Sequence, residues 1–389
     1  MLVITGHGIV GSGCSPYLFD QFSQILRQFY QNHVTLHIYV ACTAIYSTNI
    51  KFMNLFKKVA VCTDLHFGLK SNSVIHNQDC EDFVDWFIAT AKAQGCETGM
   101  FLGDWHNHRA SINLHTLNFS VRCLEKLSSA FERFYFIPGN HDLYYKDKRE
   151  IHGAEWAKHM PNIVIVNDWL VQDNVVIAPW LVGDDYKRIP KLRGQYMFGH
   201  LELPYFKMNA MVEMPDHGDL KHQHFTQFER VFSGHFHLRQ HKNNITYIGN
   251  AFPHNFADAG DDARGCMIMQ WGSEPEYFSW PGQPKFRVHT LSELLAVDNT
   301  LLQPNMHVKV HIDIDISYEE ANFIKETFVK QHALREMSLI PIKNQSVGLD
   351  LAPGDIKFES VDQIINQQIA NIDSEFYDRN LLLKIYQTL

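Results

Sequence analysis

Five short motifs bring together the side chains best suited to hold metal ions. They are Asp64-Leu65-His66, Gly103-Asp104, Gly139-Asn140-His141-Asp142, Gly199-His200 and Gly234-His235-Phe236-His237, and each follows an apolar, strand-like run. Loops after the carboxyl ends of strands are where open α/β sheets bind ligands. Residues two apart on an extended segment face the same way, so Asp64 with His66, and His235 with His237, are expected to converge. The glycines let backbone pass close to these side chains. With His141 and Asp142 set aside, four His, two Asp and one Asn make a mixed nitrogen and oxygen donor set. Such a set suits manganese, zinc, iron or nickel better than magnesium or calcium alone. Seven donors are too many for one tetrahedral site and fit two metal ions sharing a bridging carboxylate. A two-metal site activates water and clamps both oxygens of an in-line displacement. A single His-x-His is more often structural. Five motifs in order, each at a strand end, are not explained that way.

The elements that must position these residues can be read from the hydrophobic pattern. Strands are expected at Val59–Thr63, Met100–Leu102, Phe134–Ile137, Ile163–Val166, Val175–Ala178, Tyr196–Phe198, Val231–Ser233, Ile245–Ile248 and Met267–Gln270. They are mostly unbroken apolar runs, as buried strands are. Helices are expected around Cys80–Gln94, with Phe83, Phe87 and Ala91 on one face, and around Ile112–Phe131. This alternation predicts a layered α/β domain over residues 53–283. Pro281, Gly282 and Pro284 mark a boundary. Beyond it, Val308, Val310, Ile312, Ile314 and Ile316 alternate with polar residues as a half-buried strand. Ser317 and Glu320 form a capping box opening a helix, and Met337–Ile342 returns as a strand. A small βαβ cap domain is therefore expected over 284–342. A linker at 343–359 and a helical tail at 360–389 follow, the tail opened by the Ser360/Gln363 capping pair. Residues 1–52 carry only Asp20, Arg27 and Lys51 as charges, which sets them apart. Met53 is the expected start of the functional protein, with an edge-packed extension as the other reading.

Composition narrows the function. Of the 389 residues, 45% are hydrophobic and 20% charged, enough apolar material for a sizeable core. No apolar run reaches membrane-spanning length, so no membrane partner is expected. The net charge of −9 excludes a surface that is basic throughout, so contact with nucleic acid would rely on local patches, bound metal or a partner. Lys187, Arg188, Lys191 and Arg193 form one such patch, and Lys146, Lys148 and Arg149 form another beside the His141 loop. The 7 Cys contain no CxxC and read as a reducing, cytoplasmic compartment.

The ordered motifs D-x-H, GD, GNHD, GH and GHxH resemble those of the calcineurin-like metallophosphoesterases, from roughly Phe56 to Trp280. The resemblance implies an αββα sandwich around a two-metal centre, with manganese the expected metal. It places Asp64, His66, Asp104 and His237 on one ion, and Asp104, Asn140, His200 and His235 on the other. His141 would then stabilise or protonate the leaving oxygen. The added cap and tail resemble the SbcD-type DNA repair nucleases, and within them the recombination nuclease subunits of T-even-type phages. The stretches Gly139–Lys146, Ser233–His237 and Tyr247–Gly249 carry that match. It implies a DNA exo/endonuclease working with an SbcC-type, SMC-like coiled-coil ATPase on which the tail docks, and a homodimer. The alternative is a small-substrate phosphodiesterase or phosphatase. Relatives carry Asp or His three residues after the bridging Asp, where this chain has Asn107. There it is expected to contact substrate or His141. An amide can only hydrogen-bond, whereas a carboxylate would favour a protonated imidazole. His106 or His108 is expected either to compensate or to be a solvated loop residue.

Overall fold

The computed structural model describes residues 3–5, 8–10, 54–208, 212–218, 220–296 and 301–341. The expected linker and helical tail, and most of residues 1–52, lie outside them. Within the N-terminal segment β1 (Val3–Thr5) pairs antiparallel with β2 (Gly8–Val10).

Two six-stranded sheets form the centre. In the first, β3 (Lys58–Cys62), β4 (Thr98–Phe101), β5 (Arg133–Phe136) and β6 (Ile163–Ile165) run parallel. The antiparallel strands β13 (Gly265–Gln270) and β14 (Glu276–Ser279) extend it beyond β3. In the second, β8 (Val175–Ile177), β9 (Tyr196–His200), β10 (Arg230–Gly234) and β12 (Ile245–Tyr247) run parallel. Antiparallel β7 (Leu170–Gln172) and β11 (Gln240–Lys242) form its edges. The period of two along each strand sorts the side chains into layers. Val59 and Val61 of β3 point between the sheets, with Met100, Tyr135, Ile177, Phe198 and Phe232. Ala60 and Cys62 point the other way, under helices α1 (Val74–Ala93) and α2 (Leu114–Ala130). Phe83 and Phe87 of α1 are fully buried there, each stabilising the fold by about 2–3 kcal/mol.

The outer face of the second sheet is covered differently. Phe206 and Phe228 from loops, and Phe225 from a single-turn 3-10 helix, pack on Met197, Val231 and Tyr247.

The segment after Gly282 is larger than a βαβ unit. Strand β15 (Lys285–Thr290) and the short helix α3 (Leu291–Ala296) precede β16 (Met306–Ile312), which lies parallel to β15. Helix α4 (Tyr318–Gln331) and strand β17 (Glu336–Pro341) complete a sheet of order β15-β16-β17. The Ser317/Glu320 capping box forms as expected. Strand β16 stops at Ile312 because Asp313 turns to cap α3, accepting the Ser292 N–H at 3.0 Å. Two ion pairs tie this sheet to the double-sheet domain. Arg335 holds the Asp79 carboxylate of α1 with two bonds of 2.5 and 2.7 Å, and Arg287 holds Asp262 with bonds of 3.0 and 2.5 Å. No described helix is long and apolar enough to cross a membrane.

Candidate metal centre

The loops after β3, β4, β5 and β10, together with the last residue of β9, meet at one end of the two sheets. The first two are locked to each other beyond their strands. Asp64 N–H donates to Gly103 O at 3.0 Å, His66 N–H to Asp104 O at 3.0 Å and Phe67 N–H to Trp105 O at 2.7 Å. The buried Asp142 staples the third loop to the second. It accepts the N–H groups of Gly139 (2.9 Å), Trp105 (3.0 Å) and His106 (2.8 Å). A side chain at Gly139 would collide with the Asp104 carboxylate, and one at Gly103, held at φ 105°, with the His200 ring.

The route to convergence differs from simple strand alternation. Asp64 (φ 55°), His66 (φ 53°), Asp104 (φ 61°) and His235 (φ 90°) all sit in left-handed backbone, just past their strands. Each costs on the order of 1 kcal/mol relative to ordinary conformations, and such strain concentrates at functional sites.

The expected donors come together. His66 Nε2 lies 3.7 Å from both Asp64 Oδ1 and Asp104 Oδ2, and His237 Nε2 lies 3.7 Å from Asp64 Oδ1. His200 Nε2 is 3.4 Å from Asp104 Oδ2 and 3.0 Å from Asn140 Oδ1, and His235 Nδ1 is 3.1 Å from the same amide oxygen. Each carboxylate has one oxygen held by the protein. Asp64 Oδ2 takes the Thr63 hydroxyl (2.7 Å) and the His235 N–H (3.1 Å), and Asp104 Oδ1 takes the His141 N–H (2.8 Å). The other oxygens face the imidazoles. Asp64 Oδ1 and His66 Nε2 are buried with no hydrogen-bond partner, which is costly unless a cation sits between them. Close groupings of one donor atom per residue occur in His66/Asp104/His141 and in Asp104/His200/His235. Asp104 belongs to both. The residues present therefore fit divalent cations.

Electrostatics follow from this packing. Burial opposes charge on His200, but the Asp104 carboxylate overrides it and raises the ring to about 9. Burial likewise opposes charge on His66, and the Asp64 and Asp104 carboxylates again raise it. Asp64 is lowered to about 2 despite its burial, chiefly by His66. Asp104 is also driven down against burial, first by His200. One wall, formed by Asp64, Asp104 and His200, is buried, while Asn140, His141, His235 and His237 are part-exposed on the other.

Several neighbours carry no motif signal. Glu202 lies 3.4 Å from His235 Nε2 and orients that ring, as carboxylates behind metal-site histidines do. The Trp180 ring packs on His200 and His235 at 5.6 and 5.3 Å. His254, buried beside His66 and His237, comes from the loop after β12.

Asn107 does reach His141, but by its main chain. Its carbonyl oxygen accepts from His141 Nδ1 at 2.9 Å, while its side-chain amide turns toward His108 at 3.5 Å. His108 is solvated. His106 is not, being buried with Nε2 2.9 Å from Ser120 Oγ. Much of the basic clusters is already engaged. Arg149 bonds to Asn167 O, Trp180 O and Asp185; Lys187 pairs with Asp184 at 2.8 Å, and Arg188 approaches Asp168 at 3.7 Å.

Residues 57–248 match the calcineurin-like phosphoesterase family. The chain is 26% identical over 230 residues to exonuclease subunit 1 of Enterobacteria phage T4, covering 57% of this chain and 67% of that protein. Among solved structures it overlaps the Pseudomonas putida nuclease MPE at 18% identity and a TM-score of 0.26, covering 46% of this chain and 61% of that one. It overlaps Yfce, a phosphoesterase from E. coli, at 14% identity and a TM-score of 0.31, covering 58% of this chain and 94% of that one. Overlaps this shallow carry no weight, and the assignment rests on the family match. Residues 57–248 are a calcineurin-like phosphoesterase domain, and the chain is a metal-dependent phosphodiesterase.

Proposed function

We propose that the chain is the nuclease subunit of a DNA-processing complex, hydrolysing phosphodiester bonds at a two-metal centre during recombination and double-strand-break processing. One observation carries the two-metal part: the Asp104 carboxylate belongs to two separate donor clusters at once. Asp64, His66, Asp104 and His237 would hold one ion, and Asp104, Asn140, His200 and His235 the other, with manganese the proposed metal. Bound divalent ions supply Lewis acidity and a water acidic enough to attack at neutral pH. The chain's own residues do the rest. Asp104 and Asp64 each present one free oxygen, because the other is already engaged. His141 Nδ1 donates to Asn107 O, so Nε2 is the nitrogen left to face substrate and pass a proton to the leaving oxygen. The part-exposed wall admits the phosphodiester, and the buried wall keeps bulk water out.

The choice of DNA is supported by the similarity to an exonuclease subunit. The proposed partners are an SbcC-type, SMC-like ATPase, docking on residues 360–389, and a second copy of the chain. Digestion of linear duplex DNA with manganese, with and without that ATPase, tests the reading. Metal-dependent DNA cleavage is expected. Hydrolysis confined to small phosphate esters would overturn it in favour of a small-substrate phosphodiesterase. Deleting residues 360–389 should abolish association with the ATPase while sparing hydrolysis of a chromogenic diester; retained co-purification would place docking elsewhere.

A further inference from the structure

We propose that His254 is a further ligand of the ion held by His66 and His237, making that position richer in imidazole than the sequence motifs imply. The proposal rests on the two-metal reading and deepens it. His254 is 2% exposed, and neither of its ring nitrogens has a hydrogen-bond partner. A neutral imidazole carries one donor and one acceptor, and leaving both dry is costly. One nitrogen from each of His66, His237 and His254 lies within 4.8 Å of the others. Ligand nitrogens around a single ion stand about 3–4 Å apart, so small ring rotations close the set. The three rings pack edge to face or tilted, with centroids 5.2 to 5.4 Å apart.

A neighbouring histidine shows what a purely structural role looks like here. His76 is equally buried and lies beside His254, but its Nε2 is occupied by the carbonyls of Leu65 (3.2 Å) and His66 (3.0 Å). His254 has no such partner, yet its backbone is pinned. Its N–H donates to Asp258 Oδ2 at 2.9 Å, and Asp258 Oδ1 takes Arg264 Nη2 at 3.2 Å. The same buried guanidinium donates through Nη1 to His237 O and Asn250 Oδ1. One arginine thus fixes the loops bearing both histidines, as groups bonded behind the ligands do at metal sites.

A third imidazole raises the affinity of this position for zinc, cobalt or iron(II) more than for manganese. The test is zinc titration of the full-length protein carrying 15N-labelled histidine, read by ring-nitrogen resonances and by calorimetry. The His254 ring is identified by its contact with the Phe252 ring, 5.2 Å away. The expected result is that its coordinating nitrogen shifts together with those of His66 and His237, while His76 does not move. His254→Gln should weaken zinc at one of two sites at least tenfold and manganese less. An unmoved His254 resonance, or a folded His254→Gln protein with two sites of unchanged zinc affinity, overturns this inference and leaves the two-metal reading standing. The wild-type protein failing to bind two ions would overturn both. The wild-type resonance decides even if the variant does not fold.

Discussion

Loading the proposed centre should expel protons, and His200 sets how many and at what pH. Its Nδ1 donates to Leu102 O at 2.6 Å, so Nε2 is the only ring atom available to the site. That nitrogen faces two acceptors, Asp104 Oδ2 at 3.4 Å and Asn140 Oδ1 at 3.0 Å. Without a cation it therefore keeps a proton, and against the cost of burial Asp104 raises the ring from 6.5 to about 9. A metal ion must displace that proton. At pH 7 the penalty is about two pH units, on the order of 3 kcal/mol or a hundredfold in affinity. His66 is raised in the same direction, against burial, by Asp64 and Asp104. Calorimetric manganese titrations in buffers of different ionisation enthalpy should show about one proton released at pH 7 by the ion that His200 holds. Apparent affinity at the His200 site should climb roughly tenfold per pH unit from pH 6 to 8 and level off near 9. His200→Gln should flatten that dependence. The metal-free protein offers a second check. A histidine raised in the fold stabilises fully below its unfolded value and loses that contribution as pH rises through its folded one. About 3 kcal/mol should therefore disappear between pH 6.5 and 9. Flat affinity at the His200 site over pH 6 to 8, with well under half a proton released there, would refute the reasoning.

Further outcomes follow from the same geometry. Asp104→Ala should lower manganese-dependent hydrolysis by at least about a thousandfold with an unchanged circular dichroism spectrum, because both donor clusters lose a member. Asp142→Ala strands three buried N–H groups and should cost about 3 kcal/mol in denaturant unfolding, with weaker metal binding because the Asn140 loop is no longer stapled. Asp79→Ala leaves Arg335 half-buried and unpaired, and should lower stability by about 3 kcal/mol in thermal unfolding while sparing hydrolysis of a small diester. Asn107→Ala should keep the rate at neutral pH within about threefold, since the bond to His141 uses the main chain; a larger loss would show that the amide itself handles substrate.

The legible parts of this chain were those where chemistry demands rare residue types in a fixed order. Glycine beside Asn140 is required because its backbone passes within contact of the Asp104 carboxylate, glycine beside Asp104 because the His200 ring lies against it, and the histidines had few other reasons to end strands. The central strands were legible because both faces are covered, so they read as unbroken apolar runs. The edges were not. β7, β11 and β14 are short, and their residues are part-exposed or exposed, so no hydrophobic signal is needed to hold them. The start of α1 was missed for a different reason. Its first turns bury His76, Asn77 and Asp79, polar groups that serve the Leu65–Gly68 loop and Arg335, and an apolar periodicity cannot register them. β15 was hidden because Phe286 is its one buried residue and the strand begins immediately after a Pro/Gly boundary that reads as a turn.

What separates the motif residues from their unseen supports is the kind of constraint each obeys. Asp64, His66, Asp104 and His235 must adopt left-handed backbone to aim at a common point, and that strain needs something to hold it. The paired loops supply part, through the bonds from Asp64 and His66 to Gly103 and Asp104. Asp142, Glu202 and Arg264 supply the rest, each through one side chain that bonds to backbone or to a ring already in the site. Nothing in their sequence spacing is periodic, because each comes from a different loop and meets its partner only in the folded chain. A donor set can therefore be read from one sequence, whereas the framework that makes it rigid is a property of the tertiary fold. The consequence is a division of effects: changes in the donors should remove metal while leaving the fold, and changes in the framework should cost stability and metal affinity together.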